Sequence, residues 1–346
     1  MAGLIIIGSN PTANILRLAC ANIGLNKLGQ IPTQYTPLVP ATILPANISR
    51  VIVALKSEEQ LRDLSIIPNR KMVRLGKSGY LISEIPLGKF YCDRYGANLI
   101  NISEANLQLL LSDQTQSDQR NVLEGYDVDQ NVIALTDQAM REGKTKASFL
   151  TYYARQPLDK NSAHINTTWL GQKQIAFQFS TEETQHIVFL IPSDENIDPN
   201  EWHHSIRDAA GSALIQKPNA PKNPFDLDVS LLRSAVRLGS AWYQESWLFP
   251  ETLHAGIEDA WVLSRMLENY EEETNEALSN YTKYRLPRMN RFTRFTDNES
   301  SKLLNSGEAQ RFAQHLRLAF STRFIPEIFI SSQDWLHGYD CLRGFR

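Results

Sequence analysis

The sequence predicts an α/β fold that begins with a doubly wound domain and adds a smaller antiparallel β-sheet and C-terminal helices. The isoleucine-rich run at 3–8 is typical of a strand buried on both faces, and a helix pattern follows at 11–23. Farther along, alternating apolar and polar residues within 167–191 are typical of antiparallel strands with one covered face. Apolar residues at helical spacing over 257–270 predict an amphipathic helix in the last third.

The composition is that of an ordinary globular protein. The 346 residues are 42% apolar and 21% charged, and the net charge of −3 creates no basic field that would attract nucleic acid. The three cysteines have no metal-binding spacing, and an odd number does not suit a disulfide framework. No apolar run approaches the ~20 residues that span a bilayer. We therefore expect a cytoplasmic protein with at most peripheral membrane contact.

The first helix has clear signals at both ends. Asn10 suits the N-cap, Pro11 suits the first helical position, and Gly24 is the predicted stop. After this helix, four prolines within 30–47 predict a loop lying on the domain, and a short helix is predicted at 57–64. The next predicted elements are strands at 72–75, 79–82 and 90–92 and a helix at 103–111 with Ser103 as its N-cap.

The remainder of the chain combines strands, a linker and helices. A weak strand is predicted at 132–135, and the proline-rich segment 218–224 is the best linker candidate. The helix at 257–270 is followed by a second helix pattern at 276–284. The antiparallel strands are predicted at 167–170, 174–179 and 186–191.

Acidic residues are absent from the first 57 positions. This segment carries +4, and the other 289 residues carry −7. Low charge is typical of a buried parallel-sheet segment. It also means that no carboxylate follows the first strand by roughly 20 residues, where dinucleotide sites use an acid to hold a ribose hydroxyl.

Three stretches in order carry a family pattern: LIIIGSNPTANILRLACANIGL at 4–25, LGSAWYQESWLFPETLHAGIEDAWVLSRML at 238–267, and 277–304 followed by 316–338. Together they resemble the FAD-dependent aromatic hydroxylases of the para-hydroxybenzoate hydroxylase fold, nearest to their ubiquinone-biosynthesis branch. The resemblance implies a discontinuous Rossmann-like FAD-type nucleotide-binding domain at 1–69, 99–150 and 219–300, a substrate-side β-sheet domain at 70–98 and 151–218, and a C-terminal helical tail at 301–346.

The same resemblance assigns cofactor contacts to two motifs. The N-terminal fingerprint would contact FAD through Gly8, Ser9, Asn10, Pro11 and Ala13. The late motif would contact it through Gly239, Ser240, Thr252, His254 and Gly256. These glycines and Ala13 meet what the backbone turn and the helix packing need.

Several side chains at or near these positions depart from the family pattern. Asn10 stands at the second glycine, where the backbone must approach a pyrophosphate closely. Ser240 stands where the late motif has an acid, and Glu104 where the family has an arginine at the start of a helix. Thr252 and His254 add bulk in the loop beside the flavin ring. The sequence therefore predicts that the scaffold persists while FAD binding is degraded.

Trp242, Tyr243 and Trp247 are three large aromatic residues in a segment that would line the flavin cavity. One interpretation is ordinary core or rim packing. The other is that they fill the space of a flavin ring, since an empty apolar cavity is costly.

Two functions remain open at this stage. One is a diverged, non-catalytic binding or accessory protein that has lost standard FAD binding, with a hydrophobic aromatic or quinone-like ligand or quinone-biosynthesis proteins as partners. The other is an active FAD-dependent monooxygenase that hydroxylates an aromatic or quinone precursor with NAD(P)H. In either case no residue can be named as catalytic, because the cofactor carries the chemistry in such enzymes.

Other polar clusters receive structural interpretations. The pair His203-His204 is interpreted as a solvated helix start rather than a metal site, because no second ligand pair stands at metal spacing. One interpretation of His254, beside Glu251 and Glu258, is an acid/base group; the other, which we expect, is a surface residue at a helix N-terminus. A solvated basic face is predicted for Arg285, Arg288, Arg291 and Arg294.

Overall fold

The computed structural model describes residues 3–25, 27–112, 132–136, 149–158, 164–182, 184–216, 235–243, 247–270, 273–305, 331 and 333–344. Within these ranges the strands are β1 (Leu4–Ile7), β2 (Leu28–Ile31), β3 (Ala41–Leu44), β4 (Ser65–Ile66), β5 (Arg70–Leu75), β6 (Leu81–Pro86), β7 (Ile100–Ser103), β8 (Val132–Leu135), β9 (Phe149–Pro157), β10 (Ile165–Leu170), β11 (Ile175–Ser180), β12 (Thr184–Pro192), β13 (Leu214–Gln216) and β14 (Val236–Arg237). The helices are α1 (Pro11–Asn22), α2 (Ala46–Leu55), α3 (Glu58–Asp63), α4 (Lys89–Tyr95), α5 (Glu104–Leu111), α6 (His204–Ser212), α7 (Gly256–Asn269), α8 (Thr274–Asn305) and α9 (Asp334–His337).

A parallel sheet forms the N-terminal core, with strand order β14-β8-β1-β2. Every residue of β1 is buried, as expected for a strand covered on both faces. The predicted cap of α1 is confirmed, since Asn10 Oδ1 accepts a hydrogen bond from the Ala13 amide at 3.0 Å. The α/β fold class predicted from the sequence is confirmed.

A seven-stranded sheet lies beside this core, with strand order β13-β9-β12-β11-β10-β5-β6. The predicted antiparallel pairing is confirmed for β10 with β11 and for β11 with β12. Successive side chains of β12 point to opposite faces of the sheet. Ile187 and Phe189 therefore pack in one hydrophobic cluster with Trp202, and Val188 and Leu190 pack in another on the opposite face. The strands of this sheet lie within 70–86 and 149–216, and the exact domain boundaries stay a prediction.

A small antiparallel sheet, β3-β7-β4, corrects the prediction of a loop throughout 30–47. The proline-rich stretch contains β3 and also the start of α2, whose helix begins directly after Pro45. Proline suits this position because the first amides of a helix need no intrahelical partner.

The strand predicted at 90–92 is wrong, because these residues belong to α4. Tyr91 and Tyr95 stand four residues apart on one face of that helix, and both rings are buried against each other. The strand predicted at 79–82 begins later, at Leu81, because the turn before it needs the positive φ of Gly79.

The helix predicted at 276–284 is much longer in the structure, since α8 continues through Pro287 to Asn305. Two arginines flanking that proline, Arg285 and Arg288, are buried in ion pairs, which corrects the prediction of a solvated basic face for these two, whereas Arg291 and Arg294 are exposed as predicted. Arg285 is completely buried and Arg288 nearly so. These contacts hold the helix on both sides of the proline.

The buried ion pairs join α7 to α8. The Glu258 carboxylate accepts hydrogen bonds from Arg285 at 2.9 Å and from Arg288 at 2.7 and 2.8 Å, and Asn47 adds one at 2.6 Å. Asp259 accepts from Arg285 Nε at 2.6 Å. Burial raises the pKa of Glu258, but the two arginines outweigh this and lower it from its ordinary 4.5 to about 2. Burial keeps the pKa of Asp259 above its usual value despite Arg285.

The same cluster holds the described part of the C-terminal segment. Arg288 donates to the carbonyls of Trp335 and Leu336, at 2.5 and 3.3 Å. Arg94 adds a bidentate pair to Asp334, with distances of 2.9 and 2.6 Å. The linker predicted at 218–224 and most of the tail predicted at 301–346 lie outside the described residues. None of the helices in the described ranges is long and apolar enough to cross a membrane.

The start of α7 and the 3-10 turn Gly239–Ala241 meet at two glycines, beside Thr12 of α1. A Cβ at Gly256 would lie 2.7 Å from Cα of Gly239 and would overlap the Thr12 side chain. Gly239 itself has a φ of +54° and donates its amide to Asp259 Oδ2 at 2.9 Å. The close approach of these backbones therefore requires glycine at both positions.

Replacing Glu258 by Gln should lower the free energy of unfolding by about 3–5 kcal/mol, because two buried guanidinium groups lose their charged partner. Urea denaturation of the full chain measures this. Glu84→Gln is the matched control, because its pair with Arg70 leaves both side chains 44% exposed. A loss below about 1 kcal/mol is expected there. Equal losses in the two variants would contradict the structure.

The stability difference between the wild type and Glu258→Gln should also depend on pH. The folded pKa of Glu258, about 2, lies below its ordinary 4.5, so its stabilising contribution is present above pH 4.5 and is lost as the pH falls toward 2. The excess stability of the wild type over Glu258→Gln should therefore shrink by about 3 kcal/mol over that interval. Denaturation curves recorded at several pH values test this, and a constant difference would contradict it.

Replacing Gly256 by Ala should destabilise the protein by about 2 kcal/mol or more, because the neighbouring backbone must move. Gly211→Ala is the control in another helix, where a Cβ would meet only Pro199 Cγ at an ordinary 3.7 Å. Alanine is a better helix former than glycine, so this control should be neutral or stabilise by up to about 1 kcal/mol. Thermal unfolding of the two variants distinguishes the two sites.

Candidate functional site

The turn after β1 packs against the residue that follows β8. Gly8 has a φ of +144°, and any Cβ there would overlap Oγ1 of Thr136. The amide and the hydroxyl of Thr136 both donate to the Ile7 carbonyl, each at 3.1 Å. Because β1 and β8 are parallel neighbours, their carboxyl ends lie at one edge of the sheet, which is where α/β folds bind ligands.

Asn10 uses both ends of its side-chain amide within the protein. Oδ1 accepts from the Ala13 amide at 3.0 Å, and Nδ2 donates to the Thr136 carbonyl at 2.5 Å. The next residue, Pro11, has no amide hydrogen. A helix start binds phosphate through free backbone amides. At the start of α1 one of these donors is missing and another is already used.

Ser240 reaches the same carbonyl from the late motif. Its Oγ donates to the Thr136 carbonyl at 3.1 Å, from the 3-10 turn Gly239–Ala241. A carbonyl oxygen has two lone pairs, and here Asn10 and Ser240 provide one donor for each. The structure thus brings together two of the positions at which the sequence departs from the family pattern.

An uncharged side chain near the end of β2 is hydrogen-bonded to the turn that follows β1. Gln30 Nε2 donates to the Gly8 carbonyl at 2.8 Å, and Ser9 Oγ accepts from the Thr33 amide at 3.0 Å. Dinucleotide sites place a ribose-binding acid at the end of this second strand. Here the polar side chain is an amide that is bonded to the turn itself.

The late loop contains a buried ion pair. Glu251 Oε1 lies 2.7 Å from Lys71 Nζ, which joins the loop to the seven-stranded sheet. Burial raises the pKa of Glu251, but Lys71 and His337 outweigh it and the net shift is downward, so the carboxylate is ionised at neutral pH. Thr252 Oγ1 donates to the Phe249 carbonyl at 2.8 Å and stabilises its own turn.

His254 is buried, which corrects the expectation that it is a surface residue. Its Nε2 lies 3.0 Å from Oε1 of Glu104, the first residue of α5, and the other carboxylate oxygen accepts from the Tyr35 hydroxyl at 3.3 Å. His254 also has a φ of +60°, which is uncommon for a residue other than glycine. Glu104 is therefore bonded within the chain, at a position where the family resemblance implies a phosphate-binding arginine.

The three aromatic residues of the late motif pack in different places. Tyr243 stacks on Phe292 of α8, with ring centroids 5.7 Å apart. Trp247 stacks on Phe179 of the seven-stranded sheet at 5.9 Å, and Trp242 packs at the edge of the N-terminal core. Core and rim packing accounts for these contacts. The hypothesis that these three rings also fill the space of a flavin ring stays a prediction.

The histidine pair begins α6, as predicted. His203 is the N-cap, and its ring stacks on Trp169 with centroids 5.6 Å apart. Among the described residues no group of three or more His, Cys, Asp or Glu side chains could hold a metal ion.

Sequence reasoning missed three contributors to this site: Thr136, Gln30 and Tyr35. A signal existed for the first two, because each stands at the end of a strand in the parallel sheet, next to β1. Tyr35 had no such signal, since it lies in a segment without regular secondary structure.

The arrangement does not fit a FAD bound in the standard way. The start of α1 is capped by Asn10, no Asp or Glu stands in the first 57 positions, and Glu104 stands where the family resemblance implies an arginine. The backbone features that such a site needs are nonetheless present, namely the positive φ angles of Gly8 and Gly239 and the close approach of Gly239 to Gly256.

Comparison with known proteins relates the chain to others through structure alone. No family model matches the sequence, and no curated protein matches it. HpxO from Klebsiella pneumoniae, in complex with FAD and uric acid, superimposes with a TM-score of 0.74 at 14% identity, covering 97% of each chain. A salicylate hydroxylase substrate complex gives 0.66 at 13% identity, covering 98% of this chain and 96% of that one.

A third similar structure is 2,6-dihydroxypyridine-3-hydroxylase from Arthrobacter nicotinovorans. It gives a TM-score of 0.66 at 10% identity and covers 87% of this chain and 92% of that one. The similarity to all three extends over nearly the whole chain. The chain therefore has the fold of FAD-dependent monooxygenases.

Proposed function

We propose that this chain is a non-catalytic binding or accessory protein, built on the FAD-dependent monooxygenase fold, that works without a resident FAD. One observation carries the proposal: the Thr136 carbonyl accepts hydrogen bonds from both Asn10 and Ser240. The turn and the late motif that would contact the cofactor are thereby bonded to the protein itself.

Bound FAD would have to displace hydrogen bonds that the protein already makes within itself. A pyrophosphate at the start of α1 would compete with Asn10 for the Ala13 amide. Freeing such buried partners costs about 1–3 kcal/mol for each group left without a hydrogen bond. Several such losses, without the ribose-binding acid to offset them, convert tight binding into weak binding or none.

Charge supports the same conclusion. A dinucleotide brings an anionic pyrophosphate, and tight sites meet it with arginine side chains or free amides. This chain instead has the buried carboxylates of Glu104 and Glu251 at two of the segments concerned. Both already have partners in the protein, His254 and Lys71.

For the partner, we propose a hydrophobic aromatic or quinone-like ligand, or proteins of quinone biosynthesis, following the resemblance to the ubiquinone-biosynthesis branch. The cluster of Phe177, Phe179 and Trp247 is buried in the core, so a ligand of this kind would have to bind elsewhere on the fold.

The absorption spectrum of the purified protein tests the loss of FAD. We expect no flavin band between about 350 and 500 nm, and none after incubation with excess FAD and desalting, because the competing internal bonds remain intact. A stoichiometric flavin band that survives desalting would contradict the proposed loss of FAD binding. HpxO purified and reconstituted in parallel is the positive control.

An active FAD-dependent monooxygenase is the second candidate, and the retained glycine backbone at Gly8, Gly239 and Gly256 favours it. On this reading the protein would oxidise NAD(P)H in the presence of FAD and a phenolic or quinone-precursor substrate. Steady NAD(P)H oxidation that depends on added FAD and on substrate, with a hydroxylated product, would support it. Oxidation no faster than that of free FAD would rule it out.

A further inference from the structure

A buried polar cluster of Tyr35, Glu104 and His254 joins three segments that are far apart in the sequence. The separations are 69 residues between Tyr35 and Glu104 and 150 between Glu104 and His254. Both Glu104 and His254 are more than nine-tenths buried. A carboxylate buried this deeply persists only when its oxygens are bonded, and here each oxygen has a partner.

The two main members of this cluster differ in how firmly they are held. Glu104 is the first residue of α5, where the helix dipole favours a negative charge, and its amide donates to the Pro40 carbonyl at 2.9 Å. His254 lies in the late loop at a φ of +60°, between a 3-10 turn and α7. A histidine in that conformation is strained and is retained only where surrounding contacts hold it. The carboxylate of Glu104 is such a contact.

We propose that Tyr35, Glu104 and His254 form a latch, which holds the late loop 250–256 against the start of α5 and keeps dinucleotides out. The proposal rests on the proposed function, since it names what regulates the same site. Beyond the proposed function, the latch assigns the closure of the loop to one contact, between Glu104 and His254, and predicts that the loop opens when this contact is lost.

The first measurement is hydrogen exchange at the amides of 251–256 in the full chain. The variants are Glu104→Ala, His254→Asn and the double variant; asparagine tolerates positive φ, so His254→Asn removes the imidazole without adding backbone strain. Each single variant should exchange at least tenfold faster in this loop than the wild type. The double variant should exchange no faster than the faster single variant, because both remove one contact.

Gln174→Ala is the matched control. It removes a side-chain hydrogen bond to a carboxylate, Gln174 Nε2 to Glu195 Oε2 at 3.2 Å, between the residue that precedes β11 and the turn that follows β12. Exchange in 251–256 should stay unchanged in this control. Protection of β11 and β12 in the latch variants reports that they are folded, and Glu104→Gln is the milder variant if Glu104→Ala loses that protection.

The second measurement is a titration with FAD, followed by flavin fluorescence. The latch variants should bind FAD at least tenfold more tightly than the wild type, and Gln174→Ala should not. Unchanged exchange, additive effects in the double variant, or an opened loop without a gain in FAD affinity would each overturn the latch. A wild type that already retains FAD after desalting would instead overturn the proposed function, so the two failures are distinct.

Discussion

The four buried charges between α7 and α8 are the interaction on which the rest of the structure depends. Glu258 and Asp259 on one helix meet Arg285 and Arg288 on the next, and desolvation offsets much of their attraction. The cluster fixes the positions of the segments that are bonded to it. Asp259 holds the Gly239 amide and so places the late motif, Asn47 connects the cluster to α2, and Arg288 holds the C-terminal segment through backbone carbonyls. One polar network thus aligns elements from the first, middle and last parts of the chain.

Much of the fold could be predicted from the sequence because its signals are local. The strand β1, the Asn10 cap and the antiparallel strands within 167–191 all depend on residues next to one another in the chain. The errors arose where distant contacts decide. The segment 90–92 is apolar enough for a strand, but Tyr91 and Tyr95 form one helix face that packs into the core. The helix predicted at 276–284 continues past Pro287, because ion pairs on both sides of that proline stabilise the helical form.

In the candidate site, too, local features could be predicted from the sequence and distant contacts could not. Its departures from the family pattern were visible in the sequence, because each is a side chain at a known position of a motif. The replacement contacts were not, because the partners lie far away in the chain: Asn10 and Ser240 meet at Thr136, and His254 meets Glu104 from 150 residues away. Residue types alone show where the sequence differs from the family it resembles, and only the fold shows which hydrogen bonds those side chains make.

The two donors to the Thr136 carbonyl also affect how this sequence can change. If glycine stood at position 10, α1 would lose its cap, yet the bond from Ser240 would remain. An acid at position 240 would remove the other donor and bring a carboxylate toward a carbonyl oxygen. Each of these single substitutions therefore removes a hydrogen bond from the turn, so the side chains at positions 10 and 240 jointly determine how firmly the first and last thirds of the sheet domain are joined.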